Sequence, residues 1–247
     1  MRERLKTVGI LVGVAVAVAV LVGLPLVGVV RNPFRGPRLA EVLRVDGEAV
    51  LLPEYLAILE DARSGLQLVQ IQANRLDLSP EDQEYYRAQK DRMEEAGVEA
   101  IALAHTIAIT ALFVQARQQG RALPWEEAVR RAEQQRAQLP PEGQRPPSYA
   151  RLVEASGGED ALWEVVIPRG IQKFASAGEV LQEAGTGLEG AVARCRLALD
   201  ALRSARVEVL DPAPLAGATL EKALRYQERQ CENLARRLER VSTGEGG

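Results

Sequence analysis

The sequence predicts a mainly helical protein behind a single N-terminal transmembrane helix, and three observations carry that prediction. Alanine and leucine abound, aromatic residues make up only 4% of the 247 positions, and β-branched runs are almost absent after Val30; such a composition favours helices over sheets. Apolar residues recur at three- and four-residue spacing through most of the chain, the period of an amphipathic helix. The run from Thr7 to Val30 is apolar and carries no charge. As a helix, its 24 residues reach about 36 Å, enough to cross a hydrocarbon core of about 30 Å.

That run is read as a retained membrane anchor (7–30), preceded by a cytoplasmic head (1–6) and followed by a linker (31–40). The competing reading is a cleaved signal peptide, since Ala17-Val18-Ala19 has the small-x-small form of a cleavage site; cutting there would leave Val20 to Val30 as an apolar new N-terminus. Arg2, Arg4 and Lys6 before the span nearly balance Arg31, Arg35 and Arg38 after it, so flanking charge alone does not orient it. The expected location is the cell membrane, single-pass, with the N-terminus inside and the body extracytoplasmic. Gly9, Gly13 and Ala17 repeat every four residues, a spacing that lets helices approach closely. They are candidates for span packing and for a homodimer, against the plainer account of a Val/Ala-rich span with small residues throughout.

Beyond the linker, Leu43 to Leu51 reads as a short strand, an Asp46-Gly47 turn and a second extended piece. Pro53 opens a helix to about Leu68. Ser79-Pro80-Glu81-Asp82 is a helix start, with a capping serine, a first-turn proline and early acids. From Val98 to Gln119 the chain is apolar on nearly every face, the mark of a central buried helix, and Gly120 ends it. A further helix runs from Trp125 to about Gln138, and the proline-rich stretch Pro140 to Pro147 connects it to a short helix from Ser148. Leu162, Trp163, Val166, Ile167 and Ile171 mark the next helix, with a kink or break expected at Pro168 and doubtful continuity through Gly178, Gly185, Gly187 and Gly190. Leu188 to Leu202 is periodic again, Arg206 to Leu210 alternates like a strand, and a last helix spans about Ala218 to Val241. The segment 213–247 is read as that helix with a frayed tail.

Several functions are disfavoured. A net charge of -3 gives no reason to expect nucleic acid as a partner. No phosphate loop, nucleophile elbow or metal-ligand spacing occurs, so no catalytic, metal or cofactor residue is assigned and the protein is not expected to be an enzyme. His105, the only histidine, sits mid-helix with no acid or nucleophile spaced to assist it, and is read as structural. The pairs Glu94-Glu95, Glu126-Glu127 and Glu159-Asp160 are read as helix-start acids and solvated faces. Cys195 and Cys231 fall on different helices. In an oxidising compartment they can form a disulfide; the alternative, two unpaired half-buried thiols, stays open.

The order of the elements resembles a known family. Arg44-Val45-Asp46-Gly47-Glu48 followed by Leu52-Pro53-Glu54-Tyr55 resembles the strand and first helix that open the SurA/PrsA-type chaperone domain. Gln115-Ala116-Arg117-Gln118-Gln119-Gly120 is similar to the end of that family's central helix. Trp125-Glu126-Glu127-Ala128-Val129, Ser156-Gly157-Gly158-Glu159-Asp160-Ala161-Leu162-Trp163 and Arg206-Val207-Glu208-Val209-Leu210 resemble its later helices and closing strand. The resemblance spans 41–212 and implies a helical SurA N-terminal-like domain whose two ends pair as a minimal two-stranded sheet. No room is left for the parvulin prolyl-isomerase domain of many members, and the lone His105 cannot supply its histidine pair. The implied function is an extracytoplasmic chaperone-like protein that binds unfolded or exported polypeptides without isomerase activity. A second reading is a cell-envelope scaffold that docks one partner, with Leu220, Leu224 and Leu234 as its stripe.

Overall fold

A computed structural model describes residues 39–243. The expected anchor at 7–30 with Gly9, Gly13 and Ala17, the head at 1–6, the linker up to residue 38 and the tail beyond 243 lie outside the described residues.

The chain enters through a hairpin, β1 (Glu41–Val45) and β2 (Glu48–Leu51). Its turn residues Asp46 and Gly47 have φ of 51° and 82°, the left-handed conformation that an Asp-Gly turn supplies. Much later, β3 (Val207–Val209) pairs antiparallel with the free edge of β1, setting Leu43 opposite Val209 and Val45 opposite Val207. The sheet order is therefore β2-β1-β3. The expected two-stranded pairing of the chain ends is corrected to three strands, because the second half of the hairpin stays in the same ladder. Asp46 further ties the ends together by accepting a hydrogen bond from the Arg206 amide at 2.9 Å.

Eight helices longer than one turn follow among the described residues: α1 (Leu52–Ala73), α2 (Pro80–Ala96), α3 (Val98–Gln118), α4 (Trp125–Ala137), α5 (Pro147–Ala155), α6 (Ile167–Gln182), α7 (Gly187–Ser204) and α8 (Leu220–Ser242). α1 runs past Leu68 because Val69 and Ala73 continue its buried face. Ser79 caps α2, accepting from the Asp82 amide at 3.1 Å, and Gly97 at φ 82° separates α2 from α3. α3 has the length and composition of a membrane span, yet α1, α6, α7 and α8 pack around it and Ile101, Ile107 and Leu112 are fully buried. It is the axis of the core. Pro168 does not break α6. The helical backbone is continuous from Glu159 through α6, and its α-pairing is interrupted just before Pro168 by a π-helical stretch, Leu162–Val166, in which the Ile167 amide bonds back to the Leu162 carbonyl. The wider turn lies where a proline lacks an N–H for the ladder. α6 then continues through Gly178.

The main core joins the sheet to α1, α3, α7 and α8 through Leu43, Tyr55, Ile101, Leu202, Ala223 and Tyr226. A second cluster, centred on Ala132, Leu162, Trp163 and Ile171, joins α4 to α6. Since Ala223 and Tyr226 belong to the main core, α8 is an integral wall of the body. The sheet is bound to α6 by a buried ionic network. Glu54 accepts from Lys173 Nζ at 3.0 Å, from Arg169 at 3.2 Å and from the Leu51 amide at 2.8 Å. Lys173 and Arg169 also donate to the Ala49 carbonyl, at 2.8 and 2.9 Å, and Glu48 accepts from Arg117 and Arg169.

Candidate functional site

Six helices enclose one apolar groove of about 220 Å³. Asp61, Gly65, Leu68 and Gln72 of α1 face it at helical spacing, and α3 contributes Ile101, His105, Ala108 and Leu112. Phe174, Ala177 and Gly178 of α6 and Ala191, Cys195 and Ala198 of α7 form another side. Tyr226, Gln230 and Leu234 come from α8, and Tyr86, Gln89 and Met93 from α2. Space remains because so many of these side chains are small. A Cβ built on Gly178 meets nothing within 4 Å, so open volume stands over α6 at that point.

The groove carries polar groups that the fold leaves without partners. Asp61 makes no hydrogen bond or ion pair among the described residues, and burial alone pushes its carboxyl up to about 6. Gln89 is only 4% exposed, yet its Oε1 has no hydrogen-bond donor; Gln230 Oε1 and His105 Nδ1 share that condition. Burial lowers the His105 imidazole to about 4, keeping it neutral near pH 7, and its ring meets that of Tyr226 edge-on at 6.3 Å. Burial likewise raises the Tyr226 phenol to about 12. An apolar concavity with a few convergent polar groups is the common form of a ligand site.

One wall buries few of its own side chains. α2 buries only Gln89 and Met93, both of which line the groove. It also lies along α1, where Gln70 donates to Glu94 at 3.0 Å. It is tied to α8 by the part-buried Arg237, which pairs with Asp82 at 3.1 Å and stacks over the Tyr85 ring at 4.4 Å, and by the exposed pair of Arg229 with Glu95. A solvent-exposed pair such as Arg229–Glu95 contributes roughly 0–1 kcal/mol. At the α1–α2 end, Leu68, Ile71 and Leu76 are 41%, 58% and 92% exposed, and Leu68 continues into the groove.

The structure joins Cys195 of α7 to Cys231 of α8 as a disulfide with a Cα–Cα distance of 5.4 Å, beside the groove, and Gln227 Nε2 donates to Cys195 Sγ at 3.4 Å. Of the proposed docking stripe, Leu234 is buried against this disulfide, Leu224 packs into the core and Leu220 is 39% exposed. The stripe is spent on holding α8 to the body. The acid pairs are mostly engaged: Glu94 with Gln70, Glu95 with Arg229, Glu127 with Arg130 and Arg131, Glu159 with Tyr149 and Arg145, Asp160 with Arg136. No group of three His, Cys, Asp or Glu side chains able to hold a metal ion occurs among the described residues. Sequence reasoning passed over Asp61 and Gln89. The available signal was a lone aspartate on the face shared by Ile58, Ala62, Gly65 and Val69.

Comparison with protein-family models, curated proteins and solved structures finds no match to this chain.

Proposed function

We propose that the body is a chaperone-like binding domain that holds non-native or exported polypeptides outside the membrane to which the N-terminal run tethers it, without prolyl-isomerase activity. The observation that carries this reading is the apolar groove whose α2 wall buries only two of its side chains, both of which face the groove. A segment with few buried contacts opens at low free energy. Swinging α2 outward lengthens the groove and joins it to the exposed Leu68, Ile71 and Leu76, so a client's apolar side chains leave water against a surface continuous from mouth to floor. The hairpin with its closing strand and the buried α3 also fit the SurA-type resemblance. A cell-envelope scaffold that docks one partner would use the same groove, since the α8 stripe is occupied internally.

Gly178→Leu tests the reading, because it fills open space over α6 and replaces a glycine in a helix interior, where other residues are more stable by roughly 0.5–1 kcal/mol. The wild-type protein is expected to delay aggregation of unfolded model proteins at stoichiometric ratios, and the variant to lose that protection with its melting temperature kept or raised. Equal protection by the variant removes the groove from the function. Recovery of a single stoichiometric partner, in place of a spread of clients, identifies the scaffold.

A further inference from the structure

The groove holds acceptors that lack donors, and this imbalance defines what it selects. Asp61 projects from an otherwise apolar face beside Ala62, Gly65 and Leu68, with no partner. On the facing wall Gln89, 4% exposed, presents an unpartnered Oε1, and Gln230 presents another from α8. The other charged or titratable side chains in the lining are Tyr86 on α2, His105 on α3, Arg194 on α7 and Tyr226 on α8. Asp61 pairs with none of them, and the Arg194 guanidinium is engaged by the Gly185 carbonyl at the α6–α7 turn. Behind the lining, next to Tyr226, the part-buried Arg92 of α2 is a nearby group with unpartnered donors, at Nε and Nη2. An unpaired carboxylate in apolar surroundings weakens the empty fold, and a buried amide oxygen without a donor adds to that penalty. Both are relieved by a ligand that brings N–H donors on an apolar body.

Resting on the reading of the groove as a polypeptide site, we propose that it selects apolar segments carrying one basic side chain, whose ammonium or guanidinium pairs with Asp61 while Gln89 and Gln230 accept N–H groups from the segment. Asp61 is then the specificity-determining residue. An ion pair formed at the edge of an apolar groove is stronger than one on open surface, because water screens it less and the hydrogen bond is charge-assisted. Apolar contacts supply the binding that any greasy segment shares; the carboxylate supplies the discrimination.

The test uses the full chain in zwitterionic lipid nanodiscs, which give a cationic peptide no surface charge to follow. Two labelled peptides share one apolar sequence and differ at a central position, lysine in one and norleucine in the other. Fluorescence anisotropy is expected to show the lysine peptide binding about tenfold tighter to the wild type. In Asp61→Asn the lysine-over-norleucine preference is expected to fall to within about twofold of parity, and in Asp61→Glu to persist. Thermal melting checks that both variants fold. Equal affinity of the two peptides for the wild type, or a preference that survives in Asp61→Asn, overturns the assignment of Asp61 while the groove remains a polypeptide site. Failure of both peptides to bind overturns the polypeptide reading and this assignment together.

Discussion

The two polar clusters inside this protein are built on opposite terms. At the sheet edge, Glu54 and Lys173 are both nearly inaccessible to water, and each is met by several partners: the Leu51 amide, Arg169 and the Ala49 carbonyl complete the set. Burial pushes the Lys173 ammonium below its ordinary value, and the Glu54 carboxylate works against that displacement. In the groove, some of the same chemical groups stand alone. Asp61, Gln89 Oε1, Gln230 Oε1 and His105 Nδ1 have no partner. A closed network fixes one arrangement of sheet, α1 and α6. An open set leaves binding capacity unused. Buried polarity that is satisfied holds the fold; unsatisfied polar atoms occur in the groove and also outside its lining, at Arg92, Thr106 and Gln134.

Removing one member of the closed network is expected to have the largest effect. Glu54→Ala leaves Lys173 buried without its carboxylate and is expected to cost about 3–5 kcal/mol of unfolding free energy in urea titrations. A double replacement by well-packed apolar residues, Glu54→Leu with Lys173→Met, is expected to recover most of that loss, since it is the unpaired charge that destabilises. A loss below about 1 kcal/mol in the single variant would erase the contrast between the clusters.

The covalent tie between α7 and α8 comes next. The disulfide closes a separation of 36 residues, and replacing both cysteines with serine is expected to lower stability by roughly 3 kcal/mol. Because the bond stands beside the groove and α8 supplies a wall, client binding is expected to weaken along with stability. Binding that stays unchanged in a protein that melts earlier would separate the groove from the α8 attachment.

The smallest effect is expected at Asp61, and its sign is opposite. Its carboxyl is raised from 3.8 to about 6 by burial, so the folded state holds a proton that the unfolded chain releases. The wild type therefore loses stability relative to Asp61→Asn as pH rises from about 4 to about 6, and the deficit is constant above that. At neutral pH the asparagine variant is expected to be more stable by about 1 kcal/mol, once solvent screening of this half-exposed site is allowed for. His105 runs the other way. Its imidazole is lowered from 6.5 to about 4, so the unfolded chain takes up a proton first and stability falls as pH drops across that window. Melting curves of wild type, Asp61→Asn and His105→Gln between pH 4 and pH 7 separate the two contributions.

Much of the fold was legible because its signals are local. The Asp46-Gly47 turn, the Ser79 cap, the Gly120 that ends α3 and the all-round apolar character of α3 depend on a few adjacent residues. The expected irregularity at Pro168 takes the form of a π-helical stretch, Leu162–Val166, immediately before it, with the chain staying helical on both sides. The distant pairing of β1 with β3 was expected, and the strand missing from that expectation is β2, which continues the same ladder across the Asp46-Gly47 turn.

The sequence by itself determined the helical class, the hairpin, the closing strand and the identity of the core helix, since periodicity and turn chemistry are properties of neighbours along the chain. Only the tertiary structure decided that α8 is a wall of the body, that Cys195 meets Cys231, and that Asp61 stands beside a groove with nothing to pair it. Partnership between side chains, and equally the lack of it, is set by distances across the fold, which the order of residues does not record.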